Sequence, residues 1–151
     1  MENLISTQIQ ILTKVIVEAV VEKKAAAIQV FNVEGIISYC DRFVICSGAS
    51  SRQVRAIADN IVQVLKKEHN LLPLGVEGKN SDKWVLVDFG DIIIHVLTHE
   101  ARGYYSLEDL WMDAPKVPLS DLGIDDPDAN ASPDTVIFAW KSKFIGLVKA
   151  K

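Results

Sequence analysis

Residues 83–97, KWVLVDFGDIIIHVL, hold the side chains best suited to chemistry in this chain. Asp88 and Asp91 stand three apart and His95 follows. Metal-dependent phosphoryl transfer needs two carboxylates on one face to hold divalent cations. Here the pair straddles a turn. Strand alternation sends Asp88 to one face, and Asp91 falls where a short side chain bonds the backbone. The one Asp-x-Asp pair, Asp126 and Asp128, lies in a Pro/Asp-rich stretch away from any expected strand. His95 and His99 would make a metal pair on a helix, but a strand sets them about 13 Å apart. These residues read as turn positions and as a histidine hydrogen-bonded at a sheet.

Gly48-Ala49-Ser50-Ser51 leads from a strand into a helix, where free N–H groups can bind phosphate. No G-x-x-x-x-G-K-[ST], G-x-G-x-x-G or G-x-S-x-G pattern accompanies it. Ser50 with Gln53 three residues on is a capping box, which explains the serines without a ligand. The expectation is a chain without catalytic centre, cofactor or metal.

The elements around these residues follow from periodicity. Ile9, Leu12, Ile16, Val20 and Val21 recur at helical spacing, predicting a helix over 7–24. Strands are expected over 25–33 and 42–48, the second with the continuous apolar run of a buried central strand. Val54, Ile57, Ala58, Ile61, Val62 and Leu65 mark a second helix after Ser50. Residues 71–78 suit a short edge strand, because Pro73 is tolerated there. Residues 84–89 and 92–97 flank Gly90-Asp91 as a β-hairpin. Residues 102–111 suggest a short helix with Ser106 as N-cap. The fold class is α/β, a mixed sheet of four or five strands with flanking helices.

A length of 151 residues fits one domain. A net charge of −4 argues against whole-surface binding to DNA or RNA. Cys40 and Cys46, if on one strand, lie on the same face about 20 Å apart, too far to pair. They read as buried thiols of a reducing compartment. No signal-peptide pattern opens the sequence, and no apolar run approaches a membrane span, so a cytoplasmic protein is expected. Residues 1–115 form the expected domain. Residues 116–134 read as a Pro/Asp-rich arm, a linker or loosely packed. Residues 135–151 read as an apolar, basic segment, with Ser132-Pro133 as a possible helix start. Trp84 at a strand start, Glu77-Gly78 before it and Tyr104-Tyr105 after it are either interface anchors or core.

Three motifs carry a family resemblance. ICSGASSRQVRAIADNIV (45–62), LLPLGVEGKNSDKWVLVDFGDIIIHVL (71–97) and E-x-R-x-x-Y-x-L-E-x-L-W (Glu100, Arg102, Tyr105, Leu107, Glu108, Leu110, Trp111) resemble the ribosomal silencing factor family, also called Iojap-like. The resemblance spans roughly residues 7–115, and the tail departs from the usual shorter members. It implies a sheet similar to nucleotidyltransferases without their activity. It also implies binding to the large ribosomal subunit at the ribosomal protein numbered fourteen. There the factor blocks joining of the small subunit and represses translation. It further implies a homodimer. Organellar relatives act in large-subunit assembly, which stays an alternative, as does a nucleotidyltransferase-like enzyme. Carried over by position, Trp84 is the expected partner contact, with Glu77, Gly78, Lys83 and Asp88 as neighbours. Tyr105 and Trp111 match family positions that face either partner or core. His95 matches a family histidine, read as structural or interfacial.

Overall fold

The structure, a computed structural model, describes residues 2–81, 83–106, 109 and 114–128, with side chains from residue 7 onward. The chain runs α1 (Glu2–Glu22), β1 (Ala26–Asn32), β2 (Arg42–Gly48), α2 (Ser51–His69), β3 (Gly75–Glu77), β4 (Trp84–Asp88), β5 (Ile92–Thr98) and α3 (His99–Tyr105). A 3-10 helix, Leu119–Leu122, follows.

The α2 boundaries are written in its sequence. Ser50 Oγ accepts the Gln53 N–H, as the capping box requires. Gln53 Oε1 then accepts the Ala49 N–H, and its Nε2 donates to the Lys23 and Lys24 carbonyls. One glutamine therefore pins the helix start to the end of α1. Asn70 closes α2 in the left-handed conformation, with its N–H on the Lys66 carbonyl.

The strands form one mixed sheet in the order β1-β2-β5-β4-β3. β2 and β5 run parallel at its centre, and the other pairings are antiparallel. One face packs Val44, Cys46, Val85, Val87, Ile94 and Val96 against α1 and α2. On the helices, Ile16, Val17, Val20, Ile57, Ile61 and Leu65 meet them, each at most 1% exposed. Full burial of such a side chain is worth about 1.5–3 kcal/mol, so this layer dominates stability. The opposite face gathers Phe31, Phe43, Ile45, Ile93 and Leu97 with Ala101 of α3.

Three expectations are corrected. The helix after β5 begins at His99, capped by Thr98, whose Oγ1 accepts the Ala101 N–H. Ser106 lies at its C-terminal end, with φ of 48°, instead of capping its start. Leu107, Glu108, Leu110 and Trp111 lie outside the described residues. Cys40 precedes β2 and Cys46 lies within it, so the two thiols join opposite faces of the sheet. Burial pushes their pKa values up to about 11 and about 12 respectively, which keeps both protonated.

The third correction concerns the expected loose arm. Lys116 bridges Phe31 on the edge strand β1. Asn32 N–H donates to the Pro115 carbonyl and Val117 N–H to the Val30 carbonyl, both at 2.8 Å. Leu119 and Leu122 then enter the main core, and Asp128 Oδ2 accepts the Ala27 N–H at 2.9 Å. Residues 114–128 thus cover part of an open sheet edge, a position that otherwise invites pairing with other chains. Their polar composition hid four apolar anchors, Val117, Leu119, Leu122 and Ile124. Residues 129–134 and the apolar, basic segment 135–151, including Ser132-Pro133, lie outside the described residues.

Candidate functional site

Strand alternation divides β4. Val85 and Val87 point to the helices, and Trp84, Leu86 and Asp88 point to the other face, half-buried. In β5, His95 faces the same way, directly across from Leu86. The aromatic rings on this face form a continuous row. Tyr39 meets Phe43 at 6.3 Å between ring centres, and Phe43 meets the His95 ring edge-on at 5.4 Å. His95 meets Trp84 at 5.7 Å, Trp84 meets Tyr105 at 4.9 Å, and Tyr105 meets Tyr104 at 4.9 Å. Tyr39 and Tyr104 at the two ends are each 62% exposed, and Tyr105 is 48% exposed. Large amphipathic rings presented this way are the usual anchors of protein interfaces.

The Trp84 indole Nε1 donates to His95 Nδ1 at 3.2 Å. An indole nitrogen only donates, so Nδ1 carries no proton and His95 is neutral. Burial agrees, lowering the His95 pKa to about 4. Gly78 fixes the backbone beside Trp84. Its φ is +81°, and a Cβ there would lie 2.2 Å from the Trp84 carbonyl oxygen. Only glycine fits.

The sequence-predicted residues fall into two groups. Lys83, Trp84 and Tyr105 come together. Lys83 and Tyr105 share a cleft of about 330 Å³ with Glu100, Ala101 and Tyr104. Glu77 pairs with Leu86 in register, which puts its side chain on the same face, and Gly78 follows it. Asp88 does not join them. It lies four residues along β4 from Trp84, about 13 Å away, and its Oδ1 accepts the Gly90 N–H at 2.7 Å. Asp88 ends β4 and its carboxylate holds the turn that follows. Asp91 is exposed, and its carbonyl accepts the N–H groups of Asp41 and Arg42.

The other candidate chemistry dissolves in the same way. Asp126 Oδ1 accepts the Asp128 N–H, and Asp128 is committed to Ala27. His99 starts α3, and burial first and the Arg102 charge second lower its pKa. At the Gly48–Ser50 turn and the start of α2 fewer N–H groups are open, because Gln53 Oε1 takes the Ala49 N–H and Ser50 Oγ takes the Gln53 N–H. Among the described residues, no group of three His, Cys, Asp or Glu side chains is placed to hold a metal ion.

Sequence reasoning missed Tyr39, Phe43 and Leu86 as part of this face. Alternation within β2 marks Phe43, but its place beside His95 depends on the parallel β2–β5 register, which no local pattern encodes. It also missed Arg102 as a buried cation. Its guanidinium donates to the Ala27 carbonyl and lies 3.5 Å from Ser47 Oγ, fixing α3 to β1 and β2.

Comparison with known proteins agrees with this architecture. The family model for the ribosomal silencing factor during starvation matches residues 6–141, reaching well past the last motif. A ribosomal silencing factor of Halalkalibacterium halodurans is 42% identical over 110 residues, covering 73% of this chain and 93% of that protein. The mouse protein named for mitochondrial assembly of the ribosomal large subunit is 38% identical over 92 residues, 60% of this chain and 40% of that one. A crystal structure of a Chromobacterium violaceum protein superposes with a TM-score of 0.64 at 35% identity, covering 67% of this chain and 83% of that one. With a matching family model over most of its length and the same fold in a solved relative, this chain belongs to the ribosomal silencing factor family.

Proposed function

We propose that this chain binds the large ribosomal subunit at the ribosomal protein numbered fourteen and blocks joining of the small subunit. The observation that carries this reading is the aromatic row, exposed at both ends and centred on Trp84. Trp84, Lys83, Tyr105, Glu77 and Gly78 form the contact surface in this reading, and Asp88 supports the hairpin from its far end. Occlusion requires affinity and position, and no bond is made or broken. A protein of net charge −4 suits a basic ribosomal protein better than exposed RNA. In this reading the setting is the cytoplasm. Among the described residues no helix is long and apolar enough to cross a membrane. A second copy would find its surface just before the edge strand β3, where Leu72 and Leu74 are 62% and 78% exposed.

A titration of large subunits with Trp84→Ala tests the reading. A hot-spot tryptophan costs about 2 kcal/mol or more on truncation, roughly a 30-fold loss of affinity. A folded variant of unchanged affinity would remove Trp84 from the interface. The mouse relative's name supports a second reading, that of a large-subunit assembly factor. It predicts that loss of the protein leaves incomplete large subunits, with joining of mature subunits untouched.

A further inference from the structure

We infer that His95 is a positioning residue, whose bare Nδ1 holds the Trp84 indole in its docking orientation. The inference rests on the docking reading above and adds how the anchor is kept in place. An indole at the rim of a sheet can turn about two side-chain bonds, and each turn aims its edge differently. Here both flanks are taken. Tyr105 packs on one side at 4.9 Å, and His95 receives the only polar hydrogen of the ring on the other.

His95 is itself fixed. It sits diagonally across the β4–β5 pair from Trp84, a separation that long and aromatic side chains span. Phe43, 2% exposed, meets its ring edge-on, so the imidazole has a buried wall behind it. Its direct register neighbours are Ile45 on β2 and Leu86 on β4. An aliphatic side chain would suit those neighbours without desolvating an ionisable ring. What imidazole adds at this position is one acceptor, aimed at the indole N–H. An anchor already set in its bound rotamer loses less entropy on docking.

The experiment is an affinity titration with large subunits, alongside the indole N–H signal of Trp84 in a ¹⁵N-labelled protein, assigned by Trp84→Phe. His95→Phe keeps a ring and removes the acceptor. It should weaken binding about tenfold and shift the Trp84 indole signal toward that of a water-exposed indole. His95→Gln restores an acceptor and should recover most of the affinity. If His95→Phe does not fold, His95→Leu removes the acceptor with a smaller side chain: it should weaken binding alone and cost nothing further once Trp84→Phe has removed the donor, and an equal loss in both backgrounds would overturn the inference. Wild-type affinity in His95→Phe, or no rescue by His95→Gln, would overturn the inference while Trp84→Ala still loses binding. If Trp84→Ala binds as well as wild type, the docking reading itself falls, and the role of His95 with it.

Discussion

Gly78 and Gly35 offer a matched test of how tightly the Trp84 backbone is held. Both adopt left-handed conformations, with φ of +81° and +78°. A side chain in that region costs about 1–2 kcal/mol. A Cβ on Gly35 would meet nothing within 4 Å, so Gly35→Ala should cost only that amount. On Gly78 the Cβ would lie 2.2 Å from the Trp84 carbonyl oxygen, where 3.0 Å is the practical floor. The backbone at the start of β4 must therefore retreat by about 0.8 Å. Forced overlap of this kind adds about 1–3 kcal/mol. At roughly 2–4 °C per kcal/mol, Gly78→Ala should melt several degrees below Gly35→Ala. The carbonyl that moves belongs to Trp84, so large-subunit affinity should fall with it, and Gly35→Ala should bind normally. Thermal unfolding and subunit titration of the two variants read both effects. Equal melting temperatures, or equal affinities, would refute the claim that Gly78 sets the position of Trp84.

Further variants probe the rest of the fold. Leu122, 4% exposed, sits in the main core, so Leu122→Ala should cost about 2–4 kcal/mol in urea unfolding, whereas a loose arm would cost almost nothing. Thr98→Ala removes the α3 cap, should cost about 1 kcal/mol, and should speed hydrogen exchange at the Ala101 amide. His95 has an ordinary pKa of 6.5 and a folded value of about 4. Above pH 6.5 both states are neutral there. Below it the unfolded chain takes up a proton that the folded one refuses, so stability declines toward pH 4, by at most about 3 kcal/mol. His95→Gln should flatten that part of the stability curve between pH 7 and 4.5, and an unchanged slope would contradict the neutral histidine.

Much of the fold is legible in the sequence because its signals are local. Ser50 and Gln53 announce α2, the apolar run of β2 announces a central strand, and Gly90 announces the hairpin between β4 and β5. Non-local determinants stayed hidden. Ser106 has the chemistry of an N-cap but closes α3, because Thr98 caps first. Residues 116–128, within the arm expected over 116–134, show no element signal because edge pairing through Pro115, Val117 and Asp128 needs no periodicity. At the candidate site, Trp84 and Tyr105 stand out by residue type. Their union with Phe43 and His95 depends on the β2–β5 and β4–β5 registers. The family resemblance makes Asp88 a neighbour of Trp84, but the length of an extended strand separates them.

The central claim is occlusion of the large subunit. Sedimentation of this protein with purified large and small subunits, at near-physiological magnesium and salt, tests it most directly. The account predicts that the protein travels with large subunits alone and that the joined-ribosome peak declines as it is added. A joined-ribosome peak that persists while the protein rides on it would contradict occlusion.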